Sequence, residues 1–368
     1  MEKSERLVSL DLFRGLTMFL LTAEGTELYH ALITGTGEGS FVNMIMQQFH
    51  HHPWNGLRFW DLIQPFFMFI VGVAMPFSMA GRIKRGATRA DNTKHILWRS
   101  FLLLLFGTGL HCVYNREIVW QLWNVLTQLS VTTLIAYMVM NMKWRDQILI
   151  SAGLLLVTGL AYRFFPVEGY NEPFTPDKNF GSWMDMLLMG QLSGGHWIAI
   201  NFIPTAAHTI WGVVAGQVLL SSNFDAIDKA KKIAIAGAIG LVIGYGMDFT
   251  GFEPIIKRIC TPAFVIASGG WCLLALALFY WLIDIKGMKP KWLFVFIVVG
   301  MNPLFIYMFS NTVGGQWFNG FVGYFTTDIS HWLGISEYFH HVITALVTLA
   351  LEVGLCYWLY RRNIFFRL

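Results

Sequence analysis

The sequence predicts an all-α, polytopic integral membrane protein with about ten transmembrane helices, and two observations support this prediction. Hydrophobic residues make up 55% of the 368-residue chain and charged residues only 13%, with a mean hydropathy of +0.52. An average soluble domain is about a quarter charged, so this chain has too few ionic groups to cover a water-exposed surface. The second observation is a series of apolar stretches, each of about 20 residues, the length that crosses a bilayer as a helix.

The apolar stretches follow one another along the whole chain. They cover approximately residues 8–30, 59–80, 95–114, 121–141, 147–165, 199–220, 231–250, 262–284, 291–312 and 340–360. A segment at about 313–339 mixes glycine with aromatic residues and predicts a short amphipathic or re-entrant piece. No charge run or low-complexity linker divides the chain, so we predict one transmembrane domain over residues 1–368.

Lysine and arginine set the predicted orientation, because the cytoplasmic loops of membrane proteins collect them. With the N-terminus in the cytoplasm, nineteen of the 26 Lys and Arg residues fall on the cytoplasmic side, among them Lys3, Arg6 and Arg367. Both termini are therefore predicted to be cytoplasmic. The formal net charge of +4 reflects the same bias. No basic cluster is patterned for reading a nucleic-acid groove, so no nucleic-acid partner is predicted.

The first apolar stretch carries three ionisable residues, each costing about 2.5–3.5 kcal/mol at mid-bilayer unless it has a partner or a purpose. Asp11 and Arg14 are three residues apart and can pair on one face of a helix. That pair is equally consistent with local charge neutralisation and with a functional role. Glu24 lies about 20 Å beyond Asp11 along a helix and has no obvious partner in sequence. We expect Glu24 to face an interior cavity.

Two further stretches combine a polar residue with proline. Asp61 lies four residues before Pro65, which has no N–H for the Asp61 carbonyl, so a kink is predicted beside this carboxylate. Irregular polar backbone at membrane depth persists only where it lines a cavity or is buried in protein. Pro303 predicts a similar distortion next to Asn302, whose amide offers both donors and an acceptor.

A histidine triplet, His50 to His52, precedes the second apolar stretch. Histidine exchanges a proton near neutral pH and therefore suits general acid–base catalysis. Three other interpretations remain open: an idle solvated run, an adventitious metal site, and a helix start at Trp54–Asn55–Gly56 with Trp54 as an interfacial anchor. The remaining histidines have no HExxH arrangement, so we predict no metal site. The sequence also lacks the glycine patterns of P-loops, dinucleotide folds and serine-hydrolase elbows.

Several segments together resemble a known family. They are SLDLFRG at residues 9–15, HHPWNGLRFWDLIQPFFMFIVG at 51–72, IPTAAHTIWGVVAGQVL at 203–219, and WLIDIKG with FIVVGMNPLFIYMF between 281 and 309. These segments resemble the heparan-α-glucosaminide N-acetyltransferase family of transmembrane acyltransferases and its bacterial relatives. They occur in the family's order over most of the chain.

The resemblance implies an enzyme that transfers acetyl from cytoplasmic acetyl-CoA to the amine of a glucosamine-type amino sugar on the outer side. It further implies a bacterial inner-membrane location, and a homodimer is compatible with the glycine-rich helix faces. The family's catalytic histidine stands three residues before the tryptophan, which corresponds to His51. Its aspartate ten residues later corresponds to Asp61. The family's asparagine in the first helix falls near Gly25, beside Glu24.

We therefore hypothesise that His51 acts as a base or carries the acetyl group and that Asp61 orients it. Glu24, Trp54, Asn55 and Asn302 are the candidate acceptor-binding residues. Asp11, Arg14, Arg82 and Arg85 are the candidates at the nucleotide end of acetyl-CoA. The alternatives are a secondary transporter of an amino sugar such as N-acetylglucosamine, in which the same ionisable groups would carry protons, and O-acylation of a glycan.

Overall fold

The structure, a computed structural model, describes residues 7–366, apart from the side chain of Glu337. Three basic residues used to predict the orientation, Lys3, Arg6 and Arg367, lie outside this range. The described chain is helical and contains no strand, with one isolated antiparallel bridge between Asn55 and Ile256. The prediction of an all-α protein is confirmed for the part of the chain that the structure describes.

Fifteen α-helices follow one another within residues 7–366. They are α1 (Val8–Gly25), α2 (Leu28–Thr34), α3 (Phe41–Gln47), α4 (Ile63–Lys84), α5 (Arg89–Asn115), α6 (Val125–Val139), α7 (Trp144–Phe164), α8 (Phe180–Met189), α9 (Phe202–Leu220), α10 (Ala226–Phe249), α11 (Pro262–Phe279), α12 (Leu293–Met301), α13 (Pro303–Phe309), α14 (Asn319–Trp332) and α15 (Glu337–Arg361). Short 3₁₀ turns cover Phe59–Leu62 and Ala199–Asn201, and π-helical segments cover Tyr280–Ile285 and Ser310–Phe318.

Seven of the described helices are long and apolar enough to cross a membrane. They are the helices at Phe59–Lys84, Arg89–Asn115, Trp144–Phe164, Ala199–Leu220, Ala226–Phe249, Pro262–Ile285 and Tyr338–Arg361. An eighth is the bent pair α12 and α13–α14, if it counts as one broken span. Helix α1 carries three charged residues and α6 has only 15 residues, so these two spans, the total of ten and the orientation remain predictions.

The contacts within the chain define two compact units. Unit 1 contains His52–Leu57 and Gln64–Lys286, and therefore α5 to α11 and nearly all of α4. Unit 2 contains Leu7–His51, Arg58–Ile63 and the described residues from Gly287 onward. It therefore holds α1 to α3, the first 3₁₀ turn and α12 to α15. The assignment of the whole chain to one domain stays a prediction.

Glycines let the helices of unit 1 approach closely. A Cβ atom at Gly212 of α9 would lie 2.2 Å from the Phe69 carbonyl oxygen of α4, and one at Gly216 would lie 2.5 Å from that of Val73. In the same way a Cβ at Gly244 of α10 would lie 2.5 Å from the backbone nitrogen of Ala267 in α11. Small residues at a four-residue spacing allow such backbone contact between helices in membranes.

Unit 2 is built around α1. A Cβ atom at Gly15 of α1 would lie 1.9 Å from the Phe296 carbonyl oxygen, so α1 and α12 touch through their backbones. After Met301 the chain bends by 83° at Asn302 and Pro303, which confirms the distortion predicted there. The following helix continues through a π-helical segment into α14, and α14 packs against α15. The π-helical segment and the start of α14 approach the C-terminal end of α1 at Gly25 and Thr26.

The backbone at Asp61 differs from the sequence prediction. Asp61 lies in the 3₁₀ turn, and the α-helix begins only at Ile63. Pro65 is therefore in the first turn of α4, where a missing N–H removes no helical hydrogen bond. A tight turn that ends at the helix start thus replaces the kink that was predicted within the helix.

The glycine contacts between α4 and α9 generate a stability prediction. Gly212→Ala places a methyl group against a backbone carbonyl that cannot rotate away, and such overpacking costs about 1–3 kcal/mol. We expect a lower melting temperature in detergent. The control is Gly153→Ala in α7, where an added Cβ meets nothing within 4 Å. Equal melting temperatures for both variants would contradict the close packing.

Candidate active site

A histidine and an aspartate of unit 2 form a hydrogen-bonded pair. His51 Nδ1 lies 2.9 Å from Asp61 Oδ1. The Asp61 side chain is 1% exposed, whereas that of His51 is 32% exposed. One partner is therefore held inside the protein while the ring remains accessible. The two residues that the sequence selected ten positions apart are in direct contact.

The 3₁₀ turn holds Asp61 in place. Asp61 Oδ2 accepts a hydrogen bond from the backbone N–H of Arg58 at 2.9 Å, and the Arg58 guanidinium donates to the His51 carbonyl oxygen at 3.2 Å. Gln48, just after α3, accepts from the Trp60 backbone N–H at 2.9 Å and from the Phe59 backbone N–H at 3.3 Å. Both carboxylate oxygens of Asp61 thus have donors, and the segment that carries His51 is fastened to the same turn.

This geometry selects one form of the His51 ring. A buried carboxylate at Nδ1 favours the tautomer that carries its proton there, which leaves the lone pair of the neutral ring on Nε2. The carboxylate also stabilises the imidazolium that forms when Nε2 takes a proton. The pair is therefore suited to general-base catalysis at the accessible side of His51.

His51 lines a cavity of about 400 Å³, which we call the His51 cavity. All of its lining residues belong to unit 2: Glu24, Glu27, Tyr29, His30, Phe49, His50, His51 and Trp60. Its walls combine two carboxylates, three imidazoles and three aromatic rings. Glu24, expected from the sequence to face a cavity, does so.

Aromatic rings support the carboxylate side of the His51 cavity. Trp60 Nε1 donates to Glu24 Oε1 at 3.1 Å, which joins the end of α1 to the 3₁₀ turn. The Tyr29 ring stacks on Phe49 with centroids 4.7 Å apart and meets Trp60 edge-on at 5.2 Å. The cavity therefore has rigid apolar faces beside its ionisable groups.

His50 is a wall residue with a different environment from His51. Its Nε2 is buried and has no hydrogen-bond partner in the described structure. Burial lowers the pKa of His50 below its ordinary value, opposed by a hydrogen bond with the Tyr29 backbone and assisted by nearby His30 and Arg58. His50 thus favours its neutral form and does not compete with His51 for Asp61.

Sequence reasoning missed Glu27, which directly precedes α2, and His30, which lies within α2. Glu27 has φ of +60°, an uncommon conformation for a non-glycine residue that is found more often at functional sites. A signal was present: Glu24, Glu27 and His30 are spaced by three, the spacing of one helix face. The helix breaks after Gly25, yet all three residues line the His51 cavity.

Comparisons with curated proteins identify relatives. The chain is 24% identical to a heparan-alpha-glucosaminide N-acetyltransferase of Mus musculus and 23% identical to that of Homo sapiens, in each case over 99% of this chain. The chain is therefore similar to these N-acetyltransferases along nearly its whole length. It spans about three fifths of the length of these curated relatives, 61% and 60% respectively. No family model matches the chain.

The segments that resemble the N-acetyltransferase family also include Trp54 and Asn55. Trp54 and Asn55 belong to unit 1. Trp54 Nε1 donates to the Phe174 carbonyl oxygen at 2.7 Å, and exposed Asn55 forms the bridge with Ile256. Their backbone and ring contacts anchor this loop within unit 1. Their role in acceptor binding stays a prediction.

Asn302 and the Asp11–Arg14 pair lie elsewhere in unit 2. The amide of Asn302 donates to the Ile364 carbonyl oxygen at 3.0 Å and accepts from the Phe366 N–H at 2.9 Å, so it holds the chain after α15. The ion pair between Asp11 and Arg14 is confirmed, with a separation of 2.8 Å. Arg14 Nε also donates to the Gly300 carbonyl oxygen at 2.8 Å. None of these three residues lines the His51 cavity.

The remaining basic candidates lie at the end of α4 in unit 1. Arg82 Nε donates to the Asn92 side chain at 2.6 Å and Nη2 to the Asp91 carbonyl oxygen at 3.3 Å. These contacts tie α4 to the start of α5. Arg85 is exposed. Contact of either residue with a nucleotide stays a prediction.

His196 and Asp177 form a second histidine–aspartate pair, in unit 1. His196 Nδ1 lies 2.7 Å from Asp177 Oδ2, but the two side chains are 41% and 35% exposed. This carboxylate therefore remains in contact with solvent, unlike Asp61. The second pair provides a comparison of similar geometry outside the His51 cavity.

The lowered pKa of the partly buried His50 predicts a dependence of stability on pH. A histidine whose pKa is lowered by folding binds a proton more readily when unfolded, so its stabilisation is present above about pH 6.5 and is lost as the pH falls through the folded pKa. We expect His50→Gln to reduce the drop in melting temperature on acidification in that range. His331→Gln, which replaces an exposed histidine of α14, is the control. An unchanged drop in His50→Gln would contradict the prediction.

Proposed function

We propose that the protein transfers an acetyl group from acetyl-CoA to the amine of an amino sugar and that the His51 cavity binds the acceptor. The observation that carries this proposal is the His51–Asp61 pair, in which a buried carboxylate orients an accessible imidazole in the wall of a cavity. Similarity to heparan-alpha-glucosaminide N-acetyltransferases supports the same reaction. The amine of a glucosamine-type sugar is the proposed nucleophile.

The cavity suits an amino sugar in three respects. Its volume of about 400 Å³ lies in the range of small-molecule sites. Glu24 and Glu27 supply negative charge for an ammonium group. Tyr29, Phe49 and Trp60 supply flat apolar surfaces for the C–H face of a sugar ring. The carboxylates that would bind the amine therefore lie beside His51, the base that would remove a proton from this amine.

The proposed reaction proceeds by general-base catalysis. His51 Nε2 takes a proton from the acceptor ammonium and releases it to solvent. The free amine nitrogen then forms a bond to the thioester carbonyl carbon, and His51 Nε2 takes the second proton from this nitrogen. The C–S bond then breaks and the CoA sulfur leaves, taking a proton from the imidazolium. The net products are the N-acetyl sugar, CoA and one proton released to solvent. Asp61 stabilises the charged ring throughout.

The same geometry also suits a two-step route in which His51 Nε2 first attacks the thioester and carries the acetyl group. In both routes His51 and Asp61 have the same positions, so the pair does not distinguish them. Trapping of a labelled acetyl-protein in the absence of acceptor distinguishes the two routes.

Arginine side chains provide the proposed contact with the nucleotide end of acetyl-CoA. Arg14 is 29% exposed and is held by Asp11 and the Gly300 carbonyl oxygen, which fixes its direction. It precedes Glu24 by ten residues of α1, or about 15 Å. The pantetheine arm of acetyl-CoA is long enough to cover this separation. Arg82 and Arg85 are the further basic candidates of the proposal.

Removal of the proposed base tests the central assignment. His51→Gln keeps the size and polarity of the side chain but cannot exchange a proton, and general-base catalysis contributes about 10²–10⁴-fold. We expect a fall of that size in the rate of CoA release from acetyl-CoA with glucosamine, measured in detergent. The matched control is His196→Gln, which removes the histidine of the second histidine–aspartate pair and should retain the parental rate.

Equal rates for the parent and His51→Gln would contradict the proposed role of this residue. Asp61→Asn tests the orienting role separately and should lower kcat more than it changes KM, because the carboxylate acts on the charged ring formed during the reaction. A protein that accumulates labelled amino sugar in proteoliposomes, without CoA release in detergent, would instead be a transporter.

The acceptor-binding role of Glu24 generates a separate prediction. Glu24→Gln keeps an acceptor atom for Trp60 Nε1 but removes the charge that attracts the ammonium group. We expect KM for glucosamine to rise by about tenfold with a smaller change in kcat, as expected for loss of uniform substrate binding. KM for acetyl-CoA should remain near the parental value. An unchanged KM for glucosamine would exclude Glu24 from the acceptor site.

A further inference from the structure

A stripe of polar residues runs along one face of α15 in unit 2. His341, Thr344, Thr348 and Glu352 are spaced by three, four and four residues, so they lie on one side of the helix. Exposure decreases along the stripe: His341 is exposed, Thr344 is 8% exposed, and Thr348 and Glu352 are fully buried. The stripe covers about 16 Å of a helix that otherwise has the length and composition of a membrane span.

Glu352 is the deepest member of this polar stripe. It lies nine residues, or about 13 Å, from the Arg361 end of the span. Its Oε2 accepts a hydrogen bond from Ser310 Oγ at 2.9 Å. Its Oε1 is buried with no hydrogen-bond partner in the described structure and lies against Gly314, where an added Cβ would be 2.2 Å away.

No cation among the described residues pairs with Glu352. Its partners are a serine hydroxyl and the wall of the π-helical segment Ser310–Phe318, which has no charged residue. Two ionisable groups lie near it. Cys356 is one turn further along α15. Glu24 precedes Gly25, where an added Cβ would lie 3.3 Å from the Ser310 Cβ. Both become negative when they ionise and therefore give an ionised Glu352 no compensation. A charge without compensation at this depth costs several kcal/mol, whereas the protonated acid does not carry that cost.

The end of the polar stripe at His341 and Thr344 lines a second cavity of unit 2. This cavity has a volume of about 550 Å³, and we call it the His341 cavity. It is lined by Thr26, Glu27, His30, Ala31, Thr34, Gly35, Asn319, Tyr338, His341 and Thr344. Glu27 and His30 line both this cavity and the His51 cavity.

Asn319 connects the cavity to the buried part of the stripe. Its side chain lines the His341 cavity, and its Oδ1 accepts a hydrogen bond from Thr348 Oγ1 at 2.8 Å. Its Nδ2 donates to the Thr26 carbonyl oxygen at 3.1 Å, which fixes the amide at the end of α1. Thr348 lies one helical turn before Glu352 in α15, and side chains at that separation on one helix face are neighbours.

We propose that Glu352 is a proton-binding site inside the membrane that exchanges its proton with the His341 cavity through Thr348 and Asn319. In the resting protein the carboxyl group is protonated. The proton leaves along the side chains of the polar stripe, and a proton from the water of the cavity returns to the carboxylate along the same route. The site is distinct from the acceptor-binding role proposed for the His51 cavity and does not depend on it.

Infrared spectroscopy of the purified protein in detergent tests this proposal. A protonated carboxylic acid has a carbonyl stretch that is separate from those of amides and carboxylates, and this stretch shifts when the protein is transferred to D₂O. We expect such a band in the parent and its loss in Glu352→Gln, which keeps the bond to Ser310. In Glu352→Asp the band should move, which provides a second variant if Glu352→Gln does not fold.

The access route is tested by the rate at which the band shifts in D₂O. Thr348→Val preserves the shape of the side chain but removes its hydroxyl, so we expect a roughly tenfold slower shift because one hydrogen-bonding group of the route is lost. The control is Thr312→Val, which removes a hydroxyl that bonds within its own helix to the Met308 carbonyl oxygen.

Three outcomes would overturn the proposal. An acid band that persists in Glu352→Gln assigns the proton to another residue. If the parent has no acid band and Glu352→Gln loses a carboxylate band, Glu352 is ionised in the parent. A shift of this carboxylate band on addition of Na⁺ would then identify a cation site. Equal exchange rates in the parent and Thr348→Val would exclude the route.

Discussion

The hydrogen bond between His51 and Asp61 is the interaction on which the candidate site depends. A carboxylate that is 1% exposed is stable only when donors satisfy its oxygens, and here the imidazole and the Arg58 backbone N–H do so. The same two bonds fix the direction and the tautomer of an accessible ring. Burial of Asp61 therefore accounts for both the local structure of the 3₁₀ turn and the chemical properties of His51.

The ionisable groups of unit 2 have different kinds of partners along α1 and on the helix beside it. Near the start of this helix, Asp11 and Arg14 neutralise one another. At its end, Glu24 receives the Trp60 indole N–H and faces a cavity. Among the residues that the structure describes, the Ser310 hydroxyl is the only hydrogen-bond donor to Glu352, on a neighbouring helix. A membrane protein can keep a carboxyl group inside it in an ion pair, beside a polar cavity or as a neutral acid. Each of these three environments indicates a different role.

Patterns that are local in the chain predicted much of this arrangement. The pair of Asp11 and Arg14 followed from helical spacing, and the bend at Asn302 followed from the missing N–H of Pro303. Glu27 was missed because its orientation depends on a break in the helix after Gly25. The buried position of Glu352 was missed because helical spacing alone does not show what packs against a helix face.

Composition and hydrophobic periodicity by themselves determined that the chain is helical and resides in a membrane, because the cost of burying charge and unpaired backbone groups in lipid leaves few other structures. The resemblance selected His51 and Asp61 as partners. Tertiary structure alone decided that Asp61 is buried while His51 is accessible, and which other side chains line their cavity. It also decided that the side chains of Trp54 and Asn302 bond to the backbone carbonyl oxygens of Phe174 and Ile364. These partners are more than 60 residues away in the chain, and packing sets contacts at that separation.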